Sequence, residues 1–419
     1  MKIVILGNSA AAVGAVEEIR RIKNDDKIDV YSAEPYLAYS KPMLAHMLSG
    51  EFGIENIGYR DKKFYESLNI KLKMNIPAIS LDVSNKEVYF AGGVSTGYDR
   101  ILISTGANPM DLQITNLSSH NKFYLTTIRE TLEIIRGAVN VSDTAVVGAG
   151  FIGLNVAEAI VKLGKRAVVV EMADRILPSS LDHCASDILK EKLETEGISF
   201  KLNQKIVSAN ETDGRLKSIF LEDGEELSCE LVVVCVGVRP NCDFVKNTGI
   251  DINRGIIVNE RMETSIPDVY AAGDVAEGPH VLIQENRLVP NWPNAYRQGR
   301  VAGANIIGSD TVFDGGIEMN SFNFASVPIN SIGFTGNIPD GAKEYFTLDL
   351  KKENYIKIAV KDGKLIGALM LGDISKAGLI GWLIKTKMDI SMYIKEILSL
   401  EYGLSFLPRE ILSERIIRY

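Results

Sequence analysis

The sequence predicts an α/β protein with two doubly wound domains, each built on a parallel sheet, and a smaller α+β domain after them. A strand–turn–helix–strand pattern occurs twice, about 140 residues apart, and such units build parallel sheets. At roughly 150 residues per domain, the 419 residues suggest two or three domains. After about residue 320 the pattern changes to strands followed by two helices, which is typical of an α+β domain.

The two repeated units share one design. In the first, the strand KIVIL runs into a turn of small residues that begins at Gly7, and a second strand leads to Glu34. In the second, the strand TAVV runs into a turn that begins at Gly148, and the next strand leads to Glu171. Each turn opens an amphipathic helix. The units are therefore expected to be the halves of doubly wound sheets.

Further segments complete the predicted order of elements. Before residue 320 we expect strands over 86–90 and 98–104 around a Gly92–Gly93 turn, a strand in DVYAAGD and a helix over 296–307. The stretches 198–202, 207–209 and 218–221 are expected to form an antiparallel meander ahead of a buried strand over 231–236. The third domain is expected to contain strands over 355–360 and 365–371 and helices over 376–387 and 392–398.

Composition excludes several classes of protein. Lysine and arginine total 46 against 54 aspartates and glutamates, and the net charge of −8 argues against nucleic-acid binding. The four cysteines form no CxxC and the four histidines no HxH or HExxH, so neither a disulfide scaffold nor a metal site is expected. The chain begins with a strand pattern and has no apolar run of about 20 residues, which predicts a cytoplasmic protein without membrane insertion.

The second turn has the full pattern of a dinucleotide site. Gly148, Gly150 and Gly153 fill GxGxxG between a strand and a helix, where a pyrophosphate lies against backbone N–H groups. Glu171 would accept a hydrogen bond from a ribose 2′-hydroxyl and repel a 2′-phosphate, so NADH is favoured over NADPH. Arg175 is close enough in sequence to leave the NADPH alternative open.

The first turn is degenerate. Gly7, Ser9 and Ala12 occupy the three glycine positions, and Glu34 ends the following strand. Because serine and alanine are still small, a second nucleotide site is expected here. This interpretation depends on a partner motif near the other end of the sequence.

Four further motifs strengthen the interpretation. The segment TSIPDVYAAGDV ends a strand at Asp274 and resembles the second flavin fingerprint of flavoproteins with two dinucleotide sites. The segments ILISTGANP and VCVGVRPN resemble the turns where such chains cross between domains, and NWPNAYRQGR resembles the loop and helix beneath the flavin ring. Over roughly residues 1–310 the chain resembles the pyridine nucleotide–disulfide oxidoreductase superfamily. It looks most like the NADH:rubredoxin and ferredoxin reductases and the FAD subunits of phenylglyoxylate or aldehyde oxidoreductase complexes.

The resemblance implies two Rossmann-like domains, for FAD and NADH, and a C-terminal α+β interface domain. It places an FAD-binding domain at 1–110 and 242–318, an NAD(H)-binding domain at 111–241 and an interface or dimerisation domain at 319–419. Asp274 is expected to hold the ribityl and pyrophosphate end of FAD. The cofactor-binding residues implied by the motifs are Gly7, Ser9, Ala12, Glu34, Lys41, Thr105, Gly106, Gly273, Asp274, Trp292, Gly148, Gly150, Gly153, Glu171 and Gly237.

Disulfide-reducing members of this superfamily need a thiolate beside the flavin, and this sequence has no cysteine before Cys184. The four cysteines are expected to be buried fillers, with Cys242, just after the second crossing turn, as the candidate exception. Related ferredoxin reductases pair a lysine and a glutamate near the flavin N5. The matching positions here are His46 and Asn155. Lys41 is the alternative cation, and His46 either stabilises reduced flavin or packs at a domain surface.

The favoured function is an enzyme in which NADH reduces FAD and the electrons leave to rubredoxin, ferredoxin or the catalytic subunit of a larger complex. Alternatives are an NADH oxidase or quinone-type reductase, and a flavin-bearing structural subunit, against which the complete second turn argues. A homodimer is compatible with each. One set of basic residues either docks an acidic carrier or forms a solvated face: Lys376, Lys385, Lys387, Lys395, Arg409, Arg415 and Arg418.

Overall fold

The computed structural model describes residues 1–399 except 24, 350 and 352. Of the basic residues above, Arg409, Arg415 and Arg418 lie outside the described residues. The chain divides into two compact units. The first combines Met1–Val170 with Gln204–Ile317, and the second combines Glu171–Asn203 with the described chain from Glu318 onward.

The helices and strands of the described residues are numbered in chain order. The helices are α1 (Ala10–Ile22), α2 (Leu44–Leu48), α3 (Lys62–Ser67), α4 (Ile128–Ala138), α5 (Phe151–Lys162), α6 (His183–Thr195), α7 (Trp292–Ile306), α8 (Ala377–Thr386) and α9 (Ile394–Leu398). The strands are β1 (Lys2–Leu6), β2 (Lys27–Tyr31), β3 (Ile70–Lys73), β4 (Ala78–Asp82), β5 (Glu87–Phe90), β6 (Val94–Gly97), β7 (Arg100–Ile103), β8 (Ala107–Pro109), β9 (Lys122–Phe123), β10 (Asp143–Val147), β11 (Arg166–Val170), β12 (Ile198–Lys201), β13 (Ile206–Thr212), β14 (Arg215–Leu221), β15 (Glu226–Ser228), β16 (Leu231–Val234), β17 (Val238–Pro240), β18 (Ile256–Ile257), β19 (Val269–Ala271), β20 (Ala276–Glu277), β21 (Met319–Phe324), β22 (Val327–Gly333), β23 (Lys343–Asp349), β24 (Asn354–Lys361) and β25 (Lys364–Leu371).

The first sheet of the first unit is entirely parallel, in the order β19-β7-β1-β2-β3. Its central strands carry near-continuous apolar runs because both faces are buried. Helices α1 and α7 share the core of this sheet and pack very closely. A Cβ added at Gly299 would collide with the backbone of Ala11, and one at Gly303 would lie 2.8 Å from the Cα of Ala15. Glycine in α7 therefore sets the distance between the two helices.

The second sheet of the first unit contains β11, β10, β16 and β9 side by side, all parallel. Helix α5 packs against it. The two predicted strand–turn–helix–strand units are therefore confirmed as parallel α/β structures. Between α5 and β16 the chain inserts an antiparallel sheet, β13-β14-β15.

Two details of the predicted order differ from the structure. The stretch 198–202 forms β12 but belongs to the second compact unit, and the meander instead gains the short strand β15. The Gly92–Gly93 turn leads into β6, so that β5 is the centre of a three-stranded sheet with β4 and β6. The sequence missed β6 and β15 because both are short and mostly exposed, so that no apolar run marks them.

The second unit contains an antiparallel sheet in the order β21-β22-β25-β24-β23. Helix α8 packs on β22 and β25, and α9 on β23 and β24, as the predicted α+β domain requires. Asp182, the N-cap of α6, joins this sheet by accepting a 2.6 Å hydrogen bond from Tyr355 and pairing with Lys357 at 2.9 Å. Among the described residues, no helix is both long enough and apolar enough to span a membrane.

Candidate cofactor-binding site

The first turn is shaped by contact between backbones. Gly7 has φ +108°, and a Cβ there would collide with the carbonyl group of Ser104 on the strand β7 side. Its N–H donates to the Tyr31 carbonyl at 2.8 Å, which holds the start of the turn against the end of β2. Ser9 is the N-cap of α1 but makes no side-chain capping bond, and Ala12 is buried in the first turn of the helix. A left-handed glycine and two small residues thus bring the chain into the start of α1.

The second turn repeats this arrangement. Gly148 has φ +99° and lies against the Cys235 backbone, and a Cβ at Gly153 would collide with the carbonyl of Gly148. Gly150 is different. It is the N-cap of α5 in extended conformation, and the position of its missing Cβ has no atom within 4 Å. Close contacts within the protein require glycine at Gly148 and Gly153, whereas Gly150 leaves open space in front of the helix.

Helices α1 and α5 begin without a side-chain cap, as α2, α8 and α9 also do, whereas the other four helices of the described chain are capped. Helices α3, α4, α6 and α7 begin with a side chain that accepts a backbone N–H, namely Asp61, Thr127, Asp182 and Asn291. Helices α1 and α5 have neither a side-chain cap nor an acidic residue in the first turn. The positive end of each helix dipole therefore faces no carboxylate from its own first turn, which suits a pyrophosphate.

A buried donor in the first turn also lacks a protein partner. The Nδ2 of Asn8 is buried without a hydrogen bond among the described residues, while its Oδ1 accepts from the Tyr65 hydroxyl at 2.8 Å. An unsatisfied buried amide is costly unless a ligand or water accepts from it. Nearby, the Glu34 carboxylate accepts a 2.8 Å hydrogen bond from the buried Tyr39 hydroxyl. Both observations fit a nucleotide held over this turn.

Lys41 and Asp274, predicted from separate motifs, interact electrostatically. Burial raises the pKa of the Asp274 carboxyl, and the Lys41 ammonium opposes that rise. The Lys41 Nζ also donates to the Thr126 carbonyl at 3.1 Å, and the N–H of Gly273 donates to the Gln298 side chain at 2.8 Å. A buried carboxyl group within electrostatic reach of a cation is suited to bind the hydroxyls of a polyol such as ribityl.

The two crossing turns lie side by side. Strands β8 and β17 pair antiparallel, the Thr105 hydroxyl donates to the Asn241 carbonyl at 2.7 Å, and the Asn241 N–H donates to the Gly106 carbonyl at 2.9 Å. Gly237 completes the junction, because its carbonyl accepts from the N–H of Met110 at 2.9 Å. Thr105 and Asn241 are 136 residues apart in the sequence. Two distant motifs therefore form one two-stranded connection between the two parallel sheets.

Trp292 starts α7 directly after its Asn291 cap. Its ring meets Tyr59 edge to face, with centroids 5.0 Å apart, and it packs against the core of the first sheet. Glu171 follows β11 directly, and one of its carboxylate oxygens accepts the Ala173 N–H at 2.8 Å. Every residue predicted to bind a cofactor is thus described, and its role in binding stays a prediction.

His46 and Asn155 do not form a hydrogen bond with each other. Asn155 donates to the Phe151 carbonyl of its own helix at 2.7 Å, and the His46 Nδ1 lies 2.7 Å from Glu51. Glu51 also accepts a 2.6 Å hydrogen bond from Lys162 on α5. Hydrogen bonds from Lys162 and then His46 lower the pKa of Glu51 to about 2.

No sequence pattern marks the contact between Glu51 and Lys162. They are 111 residues apart, and no periodic pattern relates a residue after α2 to the end of α5. Together with His46, the Glu51–Lys162 ion pair connects α2 to α5. All three residues are part of the same compact unit as both turns.

No cysteine is poised as a thiolate. Burial raises the pKa of Cys229 and of Cys235 to about 12, and it also raises the pKa of Cys184 and Cys242. Cys229 is buried, as predicted, and Cys242, the candidate exception, is buried as well. Cys184 and Cys235 are partly exposed, which differs from the prediction of four buried cysteines. Thiol chemistry at neutral pH requires a lowered pKa, which is the opposite shift.

Lys376, one of the basic residues expected either to dock a carrier or to form a solvated face, faces the protein instead. Its ammonium donates to the carbonyls of Glu396, Ile397 and Ser399 at the end of α9, and burial lowers its pKa. A lysine that caps a helix C-terminus in this way is structural. It is therefore a poor candidate for docking a carrier.

Two protein-family models match the chain. The model described as "Pyridine nucleotide-disulphide oxidoreductase" matches residues 1–299, and the model described as "Rubredoxin NAD+ reductase C-terminal domain" matches residues 319–388. The second match falls in the antiparallel sheet and α8 of the second unit. Together the two matches include both glycine turns and the C-terminal sheet.

Curated relatives fall into two groups by length. The NADH-rubredoxin oxidoreductase of Clostridium acetobutylicum is 30% identical over 400 residues, 96% of this chain and 97% of that protein. Subunit epsilon of the NADH-dependent phenylglyoxylate dehydrogenase of Aromatoleum evansii is 29% identical over 394 residues, 93% of each chain. The nitrite reductase [NAD(P)H] of Bacillus subtilis (strain 168) is 30% identical over 395 residues, 93% of this chain. The chain spans about half the length of that relative, 48%.

Solved structures share the fold. The ferredoxin reductase for the CYP199A2 system of Rhodopseudomonas palustris has a TM-score of 0.89 at 24% identity, covering 97% of this chain and 99% of that one. The NADH:rubredoxin oxidoreductase of Clostridium acetobutylicum has a TM-score of 0.75 at 29% identity, covering 93% of this chain and 96% of that one.

Proposed function

Because the chain belongs to the pyridine nucleotide-disulphide oxidoreductase family, we propose that it is an FAD-dependent oxidoreductase that takes a hydride from NADH and passes electrons to a carrier protein. One observation carries the proposal. Helices α1 and α5 begin without side-chain caps, and each packs on its own parallel sheet. Paired crossing turns join the two sheets, and burial raises the pKa of all four thiols. When bound, a flavin accepts two electrons from a nicotinamide and releases them singly.

The chain's own residues divide the work. The first turn, with Gly7, Ser9, Ala12 and Glu34, holds FAD, and Asp274 and Lys41 hold its polyol and polar edge. The second turn holds NADH, with Gly150 leaving room for the pyrophosphate. The junction at Thr105, Gly106 and Gly237 sets the distance between the two ligands, and Trp292 supports the flavin from α7.

The domain assignment follows from these roles. Residues 1–110 and 242–318 bind FAD, residues 111–241 bind NAD(H), and residues 319–419 form the interface domain. The compact units divide the chain differently, because residues 171–203 group with the C-terminal sheet. The proposed assignment is one of ligand binding, whereas the compact units reflect packing.

The proposed partner is a small redox protein of the rubredoxin or ferredoxin type, or the catalytic subunit of a larger oxidoreductase. Relatives named as rubredoxin reductases and as a phenylglyoxylate dehydrogenase subunit support both forms. A disulfide substrate is disfavoured, because thiolate attack on sulfur needs an ionised cysteine beside the flavin and burial raises the pKa of all four. The proposed location is the cytoplasm, where rubredoxin and ferredoxin would be reached directly.

The test uses the FAD-loaded protein in an anaerobic rapid-mixing instrument. NADH should bleach the flavin absorbance within milliseconds to seconds, and NADPH should do so more slowly. Addition of oxidised rubredoxin or ferredoxin should then restore the flavin absorbance as the carrier is reduced. Reoxidation by oxygen or a quinone that is faster than by every carrier would favour the small-acceptor alternative. A protein that binds no FAD, or FAD that NADH leaves oxidised, would refute the proposal.

A further inference from the structure

The loop between β11 and α6 is held together by one arginine. The Arg175 Nη1 donates to Asp174 at 2.8 Å, and its Nε and Nη2 donate to the carbonyls of Leu181 and Pro178, both at 3.3 Å. The side chain is 19% exposed. All three guanidinium nitrogens therefore have partners within the loop, so the fork is not available as a free anion site.

This brace surrounds a backbone conformation that needs support. Leu177 is buried and has φ +48°, which is unfavourable for a residue with a γ-branched side chain. Its carbonyl accepts from Ser180 at 2.8 Å and from Leu181 at 2.9 Å. Because Arg175 binds the carbonyls of Pro178 and Leu181, it closes the loop around the left-handed residue.

The same loop orients the carboxylate of Glu171. Ala173 donates its N–H to the Glu171 Oε1 at 2.8 Å, and its carbonyl accepts from Asn203 at 2.9 Å. The Glu171 N–H in turn donates to the Lys201 carbonyl at 2.9 Å. Ala173 lies two residues before Arg175, so the braced loop fixes the N–H group that aims the carboxylate.

We propose that Arg175 is a positioning residue for Glu171, and so contributes to the selection of NADH, and that it is not the ligand of a 2′-phosphate. A ribose 2′-hydroxyl donates to a fixed carboxylate, whereas a 2′-phosphate is repelled by it and needs a free guanidinium fork. In this chain the Arg175 guanidinium makes its hydrogen bonds within the loop, and the loop orients the Glu171 carboxylate. The inference rests on the proposed function, because it presumes that NADH is the substrate.

The test is a double-mutant cycle on the FAD-loaded protein with the variants Glu171→Ala, Arg175→Ala and the double variant. Arg175→Ala should raise the dissociation constant of ADP-ribose, measured by calorimetry, about tenfold. It should raise the apparent dissociation constant of NADH in flavin reduction equally and leave the limiting rate unchanged. Because both changes disable one contact, the double variant should bind no more weakly than Glu171→Ala alone.

Two variants separate geometry from charge and from general stability. Arg175→Lys keeps the charge but loses the planar fork, and it should behave like Arg175→Ala. The matched control is Arg261→Ala, which removes an arginine paired with Asp310 at 2.6 Å elsewhere in the chain and should leave ADP-ribose binding unchanged. If Arg175→Ala does not fold, Asp174→Ala removes the ion pair with Arg175, together with a longer 3.7 Å contact to His183, and should shift binding in the same direction by a smaller factor.

Three results would overturn the inference. They are additive penalties in the cycle, rescue by Arg175→Lys, and a loss confined to NADPH or to 2′-phospho-ADP-ribose in Arg175→Ala. The last would make the arginine a phosphate ligand. Failure of NADH to reduce the wild-type flavin is a separate result, because it contradicts the proposed function and does not involve Arg175.

Discussion

The two glycine turns begin helices α1 and α5 in the same way but from different residues. The second turn has glycine at all three motif positions, Gly148, Gly150 and Gly153, whereas the first turn has Gly7, Ser9 and Ala12. The turns differ at the second and third positions, and the steric difference lies at the third: the Ala12 side chain is buried, but a Cβ at Gly153 would meet the Gly148 carbonyl. Glycine is needed where backbones touch, and a small residue is sufficient elsewhere.

The largest expected effect breaks the comparison at this third position. Gly153→Ala forces a Cβ into the Gly148 carbonyl and should destabilise the protein by about 3 kcal/mol, lowering the thermal midpoint of the FAD-loaded protein by several degrees. The matched change in the first turn, Ala12→Gly, introduces the consensus residue and should cost only about 1 kcal/mol, mostly from backbone entropy. Equal losses in the two variants would contradict the steric explanation.

A smaller effect should appear at the middle position, mainly on binding. Gly150 is extended, and its Cβ would face open space, so Gly150→Val should leave the FAD content unchanged. It should lower the thermal midpoint less than Gly153→Ala does, because the only expected loss of stability comes from valine being a poorer N-cap than glycine. The isopropyl group would occupy the space proposed for the NADH pyrophosphate. The dissociation constants of NADH and of NAD⁺, which carry the same pyrophosphate, should rise roughly 10- to 100-fold, a loss of about 1.4–2.7 kcal/mol. Calorimetric titration with NAD⁺ provides the measurement, and unchanged affinity would place the dinucleotide elsewhere.

The sequence predicted the parallel strands and both turns because each leaves a local mark. A buried strand is a short apolar run, and a left-handed position against another backbone is a glycine. Asp274 and the crossing turns were predicted from a different source, the resemblance of their motifs to the superfamily. The partners of the site residues left no such mark. The hydrogen bonds from Tyr39 to Glu34 and from Ala173 to Glu171, and those made by Arg175, depend on loop conformation. Sequence periodicity does not encode loop conformation.

His46 and Asn155 show the limit of prediction by position. The resemblance predicts that both match an interacting pair of related reductases, but in this chain each side chain hydrogen-bonds elsewhere. The charges that connect α2 with α5 are Glu51 and Lys162, one on a loop and one seven residues after Asn155. An ion pair between distant segments has no sequence signature, because either partner alone looks like an ordinary surface charge.

The smallest expected effect concerns the Glu51–Lys162 ion pair, which connects α2 with α5. The Lys162 and His46 hydrogen bonds hold the pKa of Glu51 at about 2, below its ordinary 4.5. A carboxyl with a lowered pKa stabilises the folded state above about pH 4.5, and this contribution is lost as the pH falls toward 2. Glu51 and Lys162 are both more than one-third exposed, so solvent screening limits the contribution to about 1 kcal/mol.

Glu51→Gln should therefore lower the thermal midpoint of the protein slightly at pH 6, and the difference from wild type should shrink as the pH is lowered from 5 to 3. Glu66→Gln removes a carboxylate that pairs with Lys62 within the single helix α3, and it should shift the midpoint less at every pH. A Glu51→Gln deficit that stays constant between pH 6 and pH 3 would mean that the charge of Glu51 is not what connects α2 with α5.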